Sequence, residues 1–290
     1  MASQVILITG CAQGIGKEAA LFLARDPQCR FKVYATMRNM ATRQEELKTE
    51  AGNILNDTLF IRELDVTKQE TIDKTVKEIV NNEGQIDVLV NNAGVAFAPW
   101  WETGSIQSFY DIMEINYFGC VRMTRAVVPH MKEKRSGKIL QISSVSGFHA
   151  APISIQYHAS KFALEGFSES IAPPLRKFNI WVSVIEPGYV ATKMTLPYGD
   201  NPSALYTKAA RTIPGEEERK IVTDMLTSDP EIVIGNETQG PEELARLFQD
   251  IILSPNPDFR YQTSQTIKRL AREKFVDPTG NTIMNAWLKQ

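Results

Sequence analysis

The sequence has few cysteines, no excess of charge and no long apolar run, and each shortage excludes a class of protein. Three cysteines, Cys11, Cys29 and Cys120, are too few and too scattered for a disulfide framework or a zinc site. Lysines and arginines number 32, and aspartates and glutamates number 34. The formal charge of -2 therefore provides no net positive charge that would attract nucleic acid. We therefore expect no metal site and no nucleic-acid partner.

Apolar segments long enough to cross a membrane are also missing. The N-terminal MASQVILITG has no basic segment, and its apolar run is only as long as a strand, so it is unlike a secretory signal. We expect a cytoplasmic protein, with peripheral membrane contact left open for the C-terminal amphipathic segments. With 290 residues, 43% hydrophobic and 23% charged, the chain can bury a sizeable core.

What is present is an alternation of short β-rich runs with helical periodicity. The runs VILIT, FKVYATMR, TLFIRELDV, DVLVNNAG, KILQISSV and NIWVSVIEPG predict six strands with helices between them. Such alternation predicts the α/β class, with a single doubly wound, Rossmann-type parallel sheet and helices on both faces. The helix predicted over 106–133 carries Asn116 among apolar neighbours. That amide either serves a site, by holding a water or a lysine, or only packs helices together.

The first predicted strand passes directly into the glycine-rich turn GCAQGIG and then into a helix. Gly10, Gly14 and Gly16 permit a tight turn, in which backbone N–H groups and the start of the helix can receive a pyrophosphate. The spacing differs from the commoner G-x-G-x-x-G, so the turn alone is weak support for nucleotide binding.

The second predicted strand lacks an acidic residue at its end. An acidic side chain there binds the ribose hydroxyls of NAD, whereas this chain offers Thr36, Met37 and Arg38. A guanidinium binds a 2′-phosphate with paired hydrogen bonds, and a carboxylate would repel it. The pattern favours NADP(H), the alternative being that Arg38 only ends a strand in solvent. At the end of the third strand, the Asp65 carboxylate can accept from an adenine amino group.

The stretch SVSGFHAAPISIQYHASK places Ser144 thirteen positions before Tyr157, and Lys161 four positions after it. On a helix the tyrosine and the lysine share one face, where an ammonium stabilises a phenolate and makes the phenol a usable acid or base. Ser144 follows a strand and can bond the same substrate oxygen. Taken alone, Y-x-x-x-K is also a common incidental pair on surface helices.

In this order, the motifs TG-x-x-x-GIG, NNAG, SS-x-x-G, Y-x-x-x-K and PG-x-V-x-T resemble those of the short-chain dehydrogenase/reductases, over roughly residues 3–195. Within that family the chain is most similar to the branch of 17β-hydroxysteroid dehydrogenase type 1 and photoreceptor retinol dehydrogenase. The resemblance implies one domain over 1–290, with a cofactor-binding and catalytic core over 1–195. A helical substrate flap and a C-terminal extension would occupy 196–290. It also implies a homodimer built on the helices of Asn116 and Tyr157.

The resemblance further implies roles for single residues. Tyr157 would be the general acid or base, and Lys161 would assist it and hold the nicotinamide ribose. Ser144 would orient the carbonyl or alcohol, and Asn116 would fix a proton-relay water. The residues implied to hold NADP(H) are Gly10, Gln13, Gly14, Ile15, Gly16, Arg38, Asp65, Val66, Asn92, Gly94, Tyr157, Lys161, Pro187, Gly188, Val190 and Thr192. One departure is Gln13, because the similar steroid enzymes carry serines in this turn and one of them helps to bind the 2′-phosphate.

The substrate residues are less defined. Phe97, Trp100 and Trp101 can line an apolar cleft for a polycyclic or isoprenoid molecule, or they can simply cover the edge of the sheet. His149 can bond substrate or remain solvated. We expect an oxidoreductase that acts on a lipophilic steroid or retinoid alcohol or carbonyl. The alternatives are a broad-specificity reductase of small aldehydes and ketones, and a non-catalytic NADP(H)-binding sensor or scaffold.

Two expectations concern the rest of the chain. Pro173 and Pro174 remove helical hydrogen bonds, so the helix after Tyr157 should kink or end near Ala172. The patterns beyond Thr192 predict a helix over 241–254, a strand over 259–263 and amphipathic helices over 267–275 and 281–290.

Overall fold

The computed structural model describes residues 3–96, 99–196, 207–228 and 237–276. The strands are β1 (Gln4–Ile8), β2 (Phe31–Met37), β3 (Leu59–Glu63), β4 (Val88–Asn91), β5 (Gly137–Ile142), β6 (Ile180–Glu186), β7 (Tyr189–Val190), β8 (Thr238–Gln239) and β9 (Arg260–Gln262). The helices are α1 (Gly14–Ala24), α2 (Met40–Arg43), α3 (Glu45–Ala51), α4 (Gln69–Glu83), α5 (Ile106–Met113), α6 (Gly119–Lys134), α7 (Ile155–Arg176), α8 (Glu216–Ser228), α9 (Pro241–Leu253) and α10 (Gln265–Val276).

The central sheet has seven parallel strands in the order β3-β2-β1-β4-β5-β6-β9. This confirms the predicted doubly wound α/β fold. The strand order reverses between β1 and β4, and ligands of such sheets bind in the crevice at the carboxyl ends of the strands beside that reversal. The glycine turn after β1 and the NNAG motif after β4 both lie at this point.

The central strands, such as β1, β4 and β6, are apolar along most of their length because helices cover both faces of the sheet. On one face, Ile8 packs in a cluster with Leu23 of α1 and Phe248 of α9. On the other, Leu7 packs with Ile79 of α4 and Met123 of α6. Adjacent residues of β1 therefore pack into the two hydrophobic clusters on opposite faces of the sheet. Packing on both faces fixes the position of the strand.

The helix predicted over 106–133 is present but not regular. Its halves, α5 and α6, are joined through a π-helical turn at Glu114–Phe118, and Asn116 lies inside this turn. Wider turns of this kind occur mostly as single insertions in helices, frequently at functional sites. At the following residue, a Cβ on Gly119 would come within 2.7 Å of Val66 Cγ2, so the glycine lets α6 pack closely on the loop after β3.

The expectation that α7 ends near Ala172 is wrong, because the helix continues through both prolines to Arg176. Pro173 and Pro174 are exposed, so water can satisfy the carbonyls that lose their N–H partners. Leu175 is buried and anchors the last turn to the core. Packing and hydration together outweigh the proline penalty in this turn.

The later elements keep the C-terminal part of the chain on the same sheet. Helix α9 and strand β9 confirm the predicted helix over 241–254 and strand over 259–263, and α10 confirms the helix over 267–275. The segment 281–290 lies outside the described residues. A second, two-stranded sheet pairs β7 with β8 in parallel, matching Tyr189 with Thr238. No helix within the described ranges is both long and apolar enough to span a membrane.

Candidate active site

The glycine turn and the end of β4 are built against each other. Gly10 and Gly14 have φ angles of +75° and +62°, which favour glycine. The Asn92 side chain donates to the main-chain oxygens of Thr9 at 2.8 Å and Gly10 at 3.2 Å. A Cβ on Gly16 would lie 2.3 Å from Asn92 Nδ2, so any larger residue would push the turn off β4.

A cleft of about 300 Å³ opens above this contact. Nearly all the residues that the sequence predicts for the cofactor and the chemistry line it. They are Gly10, Gln13, Gly14, Ile15, Arg38, Asp65, Val66, Asn92, Gly94, Ser144, Tyr157, Lys161, Pro187, Gly188, Val190 and Thr192. Gly16 and Asn116 do not line it, since the first packs behind the turn and the second is wholly buried.

One end of the cleft carries two guanidinium groups. Arg38 follows β2, Asn39 then turns the chain with a φ of +54°, and the short helix α2 brings Arg43 to the same wall. Both arginines are exposed, and within the described ranges neither forms an ion pair. The nearby carboxylates Glu46 and Glu50 are instead bound by lysines. The sequence did not point to Arg43. Its one visible signal was a second basic residue five positions after Arg38.

The carboxylate of Asp65 is directed toward its own loop. Its Oδ1 accepts from the main-chain N–H of Thr67 at 3.0 Å and from the Thr67 hydroxyl at 2.8 Å. These bonds fix the turn after β3 against the cleft, where the adjacent Val66 forms part of the wall. Asp65 therefore lines the cleft with one carboxylate oxygen already bound within its own loop.

The other end of the cleft holds the predicted reacting groups. Tyr157 and Lys161 lie one turn apart on α7, and Lys161 Nζ is 5.6 Å from the centre of the tyrosine ring. The lysine is almost fully buried, and its Nζ donates to the main-chain oxygen of Ile142 at 2.8 Å. Ser144 Oγ accepts from the N–H of Ser146 at 3.1 Å and makes only a long 3.4 Å contact with Pro187 O. Its hydroxyl proton can therefore turn toward a ligand.

Asn116 joins two parts of the site. Its Oδ1 accepts from the N–H of Val95 at 2.8 Å, and its Nδ2 donates to Val95 O at 2.8 Å and to Ser160 Oγ at 3.0 Å. The amide thus joins the loop that follows the NNAG motif to helix α7. Among the described residues, its side chain makes no hydrogen bond to Lys161.

The predicted substrate residues are placed unevenly. Phe97 lies outside the described residues. Trp100 is buried and lines a second cavity of about 260 Å³, together with Trp101. Ile153, Ser154 and Ala209 line both cavities. The sequence did not single out any of the three, although Ala209 lies in the predicted substrate flap and the other two lie in the loop before the helix of Tyr157. His149 is 2% exposed, so it does not remain in solvent, and it lines neither cavity; its contact with substrate stays a prediction.

His158, beside Tyr157, has a structural setting. Its Nδ1 lies 2.9 Å from Ser154 O and its Nε2 accepts from Ala151 N–H at 3.1 Å. Burial lowers the pKa of this imidazole, which keeps it neutral. It holds the loop before α7 to the first turn of the helix, as expected of a structural histidine.

Comparison with known proteins gives one consistent result. The family model described as short chain dehydrogenase matches residues 4–202. Retinol dehydrogenase 8 of Bos taurus is 36% identical over 282 residues, covering 97% of this chain and 88% of that protein. 17-beta-hydroxysteroid dehydrogenase type 1 of Homo sapiens is 34% identical over 297 residues, covering 99% and 85%. A crystal structure of a short-chain dehydrogenase from Streptomyces avermitilis has a TM-score of 0.74 at 26% identity, covering 100% of this chain and 97% of that one.

Proposed function

Because the chain belongs to the short-chain dehydrogenase family, we propose that it is an NADP(H)-dependent oxidoreductase of a lipophilic alcohol or carbonyl compound. The observation that carries the proposal is that Ser144, Tyr157 and Lys161 line the same cleft as the glycine turn. Proton-transferring groups and a nucleotide site thus share one space, as hydride transfer at a carbonyl requires.

The residues of the turn fit a dinucleotide. A side chain at Gly10 or Gly16 would collide with Ala93 or Asn92 after β4, so the glycines keep the turn in place, with backbone N–H groups at the start of α1 available to a pyrophosphate. Pro187, Gly188 and Thr192 would hold the nicotinamide end, and Lys161 the neighbouring ribose. The bound nicotinamide supplies or accepts the hydride.

Tyr157 moves the proton. It donates its phenolic proton to the substrate oxygen in reduction and accepts a proton from it in oxidation. The buried Lys161 ammonium stabilises the phenolate that forms, and Ser144 donates a hydrogen bond to the same substrate oxygen. Asn116 fixes the geometry of these groups through Val95 and Ser160. Because its amide is fully used there, the relay water that the family resemblance implies would bind its main-chain oxygen.

The preference for NADP(H) rests on Arg38 and Arg43. Two exposed guanidinium groups on one wall repel each other unless an anion lies between them, and a 2′-phosphate carries the needed charge. No carboxylate stands at the end of β2, where one would favour NAD. Gln13 lines the same end and can donate its amide to the phosphate in place of a serine.

For the substrate we propose a steroid or a retinoid. The names of the relatives with 34–36% identity support these classes. The second cavity supports a large apolar molecule, because Trp100 and Trp101 line it and it adjoins the cleft through Ile153, Ser154 and Ala209. A reductase of small aldehydes and ketones remains the alternative enzyme. A non-catalytic NADP(H) sensor is the alternative outside catalysis, and the complete set of reacting groups speaks against it.

The decisive experiment incubates the purified protein with NADPH and, separately, with retinal, ketosteroids and small carbonyl compounds, and follows cofactor absorbance. We expect turnover with at least one lipophilic carbonyl compound, at a higher kcat/KM than with small aldehydes. A clear preference for small aldehydes would replace the lipid assignment with the carbonyl reductase. NADPH binding without turnover of any compound would support the sensor.

We also propose a homodimer. The surface of α5, the π-helical turn and α7 carries exposed apolar side chains: Ile106, Tyr110, Phe118 and Phe162. A patch of this kind on paired helices indicates a self-complementary interface. We further propose that 1–290 forms one domain, since α9 and β9 complete the same sheet and core. Peripheral membrane contact is supported by α10, where exposed Phe275 and Val276 follow several basic residues.

A further inference from the structure

A group of charged side chains lies buried behind the catalytic helix. Arg260 of β9 stands between Glu165 of α7 and Glu186 at the end of β6. Its Nη1 forms an ion pair with Glu165 Oε2 and lies 2.7 Å from Glu186 Oε1. Glu165 is 5% exposed and Glu186 is fully buried. The arginine also reaches the exposed Glu169, from Nη2 to Oε2 at 3.2 Å.

Within direct contact, this group has more negative than positive charge, because Lys161, the other cation that faces Glu165, donates instead to the main-chain oxygen of Ile142. Two buried carboxylates share one guanidinium, and keeping both ionised in a low-dielectric interior is costly. Burial raises the pKa of Glu165, and burial together with the charge of Glu165 raises the pKa of Glu186. The groups that face Glu165 are Lys161 and Glu169 from its own helix, Glu186 from β6, Arg260 from β9 and Ser143 from the segment after β5. Both shifts favour one carboxyl group of the pair keeping its proton above the pH at which a free carboxyl group loses it.

Hydrogen bonding favours Glu165 as the carboxyl group that holds this proton. Both oxygens of Glu186 accept, Oε1 from Arg260 and Oε2 from the Gln262 amide, as suits an ionised group. Glu165 Oε1 is buried and has no donor, and the buried Ser143 Oγ likewise makes no hydrogen bond of normal geometry. These two atoms lie close together, since a Cβ on Gly147 would be 2.5 Å from Ser143 Oγ and 2.9 Å from Glu165 Oε1. A hydrogen bond between Oε1 and Ser143 Oγ would satisfy both atoms in either direction, and the direction in which a protonated Oε1 donates also removes one of the two buried negative charges.

We propose that Glu165 is a neutral carboxylic acid in the working enzyme, and that it positions the reacting groups by donating a hydrogen bond to Ser143. Ser143 adjoins Ser144 and itself lines the cleft. The contact therefore sets the end of β5 against α7, the helix that carries Tyr157 and Lys161. Ionisation would place a negative charge one turn from Lys161 and oppose the stabilisation of the phenolate by its ammonium. The kinetic part of this inference rests on the proposed function.

The test compares the full-length protein with Glu165→Gln, which mimics the neutral acid: its amide donates to Ser143 and its oxygen accepts from Arg260. A carboxyl group whose pKa is raised by folding stabilises the fold fully below its unfolded value of about 4.3 and loses that contribution as pH rises. The wild-type Tm should therefore fall relative to the Glu165→Gln Tm between about pH 5 and pH 8. Glu169→Gln, a matched change on the exposed neighbour, should follow the wild type.

A second measurement detects the proton directly. At neutral pH the infrared spectrum of the wild type should contain the C=O band of a protonated buried carboxyl group, and Glu165→Gln should lack it. Absence of the band, or a Glu165→Gln variant that loses stability relative to the wild type as pH rises, would show an ionised Glu165 and overturn the proposal. Neither readout depends on turnover, so both remain decisive if the proposed oxidoreductase activity fails.

The positioning role has its own kinetic readout. Glu165→Ala removes the donor, and displacement of Ser144 should lower kcat about tenfold, since small misplacements near a reaction are costly. Glu165→Gln should restore most of that loss, and it should shift the alkaline part of the pH profile for alcohol oxidation toward lower pH. Equal kcat in the Ala variant and the wild type, or no rescue by Gln, would refute the positioning role. If the Ala variant does not fold, the pH profile of Glu165→Gln decides alone.

Discussion

The ammonium of Lys161 donates a 2.8 Å hydrogen bond to the main-chain oxygen of Ile142, two residues before Ser144. Lys161 of α7 thereby holds the end of β5, which leads to Ser144. Its charge stays almost buried beside Tyr157, where it acts on the phenol with little screening by water. One side chain thus serves both as a tether and as a source of positive potential.

Replacing Lys161 with methionine should remove both contributions while keeping the length of the side chain. We expect kcat/KM to fall at least about 100-fold, because acid–base catalysis depends on a stabilised phenolate. The apparent cofactor Kd should rise as well, since the ammonium would also hold the nicotinamide ribose. Steady-state kinetics and a fluorescence titration with NADPH measure the two effects. Lys177→Met, at the exposed end of α7, is the control, and similar activity in both variants would contradict the assigned role.

Tyr157→Phe should abolish proton transfer without disturbing the cleft. The change removes one hydroxyl from a half-buried ring, so we expect kcat to fall about 100- to 10,000-fold while cofactor affinity stays within about threefold. Single-turnover absorbance at a saturating NADPH concentration separates chemistry from binding. Wild-type turnover in this variant would end the proposed mechanism.

Changes at Arg38 and Arg43 should alter cofactor choice. Arg38→Asp should weaken NADPH binding about 10- to 100-fold, as expected for the loss of charge-assisted hydrogen bonds, and should leave NADH binding similar or better. Arg43→Ala should show a smaller loss of the same selectivity. The ratio of kcat/KM for the two cofactors measures both effects, with Arg246→Ala on the exposed surface of α9 as the control. An unchanged ratio in Arg38→Asp would mean that this arginine is only a surface charge.

Asn116→Leu should both destabilise the protein and slow it. The variant removes the partner of the N–H and C=O of the half-buried Val95, and each such group costs about 1–3 kcal/mol where water does not replace the bond. We expect the free energy of unfolding in urea to drop by about 2 kcal/mol or more, and kcat to drop with it. Asn82→Leu on exposed α4 should change stability by no more than about 0.5 kcal/mol. Equal stability of the two variants would refute this role of Asn116.

A charge in the exposed patch of α5 and α7 should prevent dimerisation. Phe118 is 45% exposed, and Phe118→Asp would bury a carboxylate in a self-complementary interface. We expect the wild type to sediment as a dimer and this variant as a monomer. Phe275→Asp, on the exposed surface of α10, should remain dimeric. A monomeric wild type would show that this patch is not an interface between copies.

The parts of the site that sequence could predict are those marked by local patterns. The glycine turn, NNAG and the pair Tyr157 and Lys161 follow from spacing within a few residues, and the parallel sheet brings them to one edge without further information. Arg43 escaped notice because its position depends on a left-handed turn at Asn39. The contact between Glu165 and Arg260 joins residues 95 positions apart, and no local pattern announces such a pair.

Other failures reflect competition between local and tertiary terms. Pro173 and Pro174 predict an early helix end, but their exposure and the burial of Leu175 let α7 continue. His149 is a polar residue in a predicted loop, which made exposure to solvent one of its two expected settings. The structure instead buries its side chain. In both cases the residue type has a local preference, for ending a helix or for contact with water. Tertiary packing decides whether the chain follows that preference.

The small parallel sheet of β7 and β8 has a consequence for how the family's substrates can diverge. Tyr189 pairs with Thr238, and the N–H of Ala191 donates to Gln239 O at 2.9 Å, so the two ends of the segment 192–237, which contains α8, are fastened side by side. The entropic cost of joining two fixed ends grows only slowly with the length of a flexible connection. Insertions and deletions at surface positions of this segment can therefore accumulate at little thermodynamic cost, provided that buried residues such as Val222 and Leu226 of α8 are kept. New specificities can evolve in this segment without rebuilding the chemistry beside it.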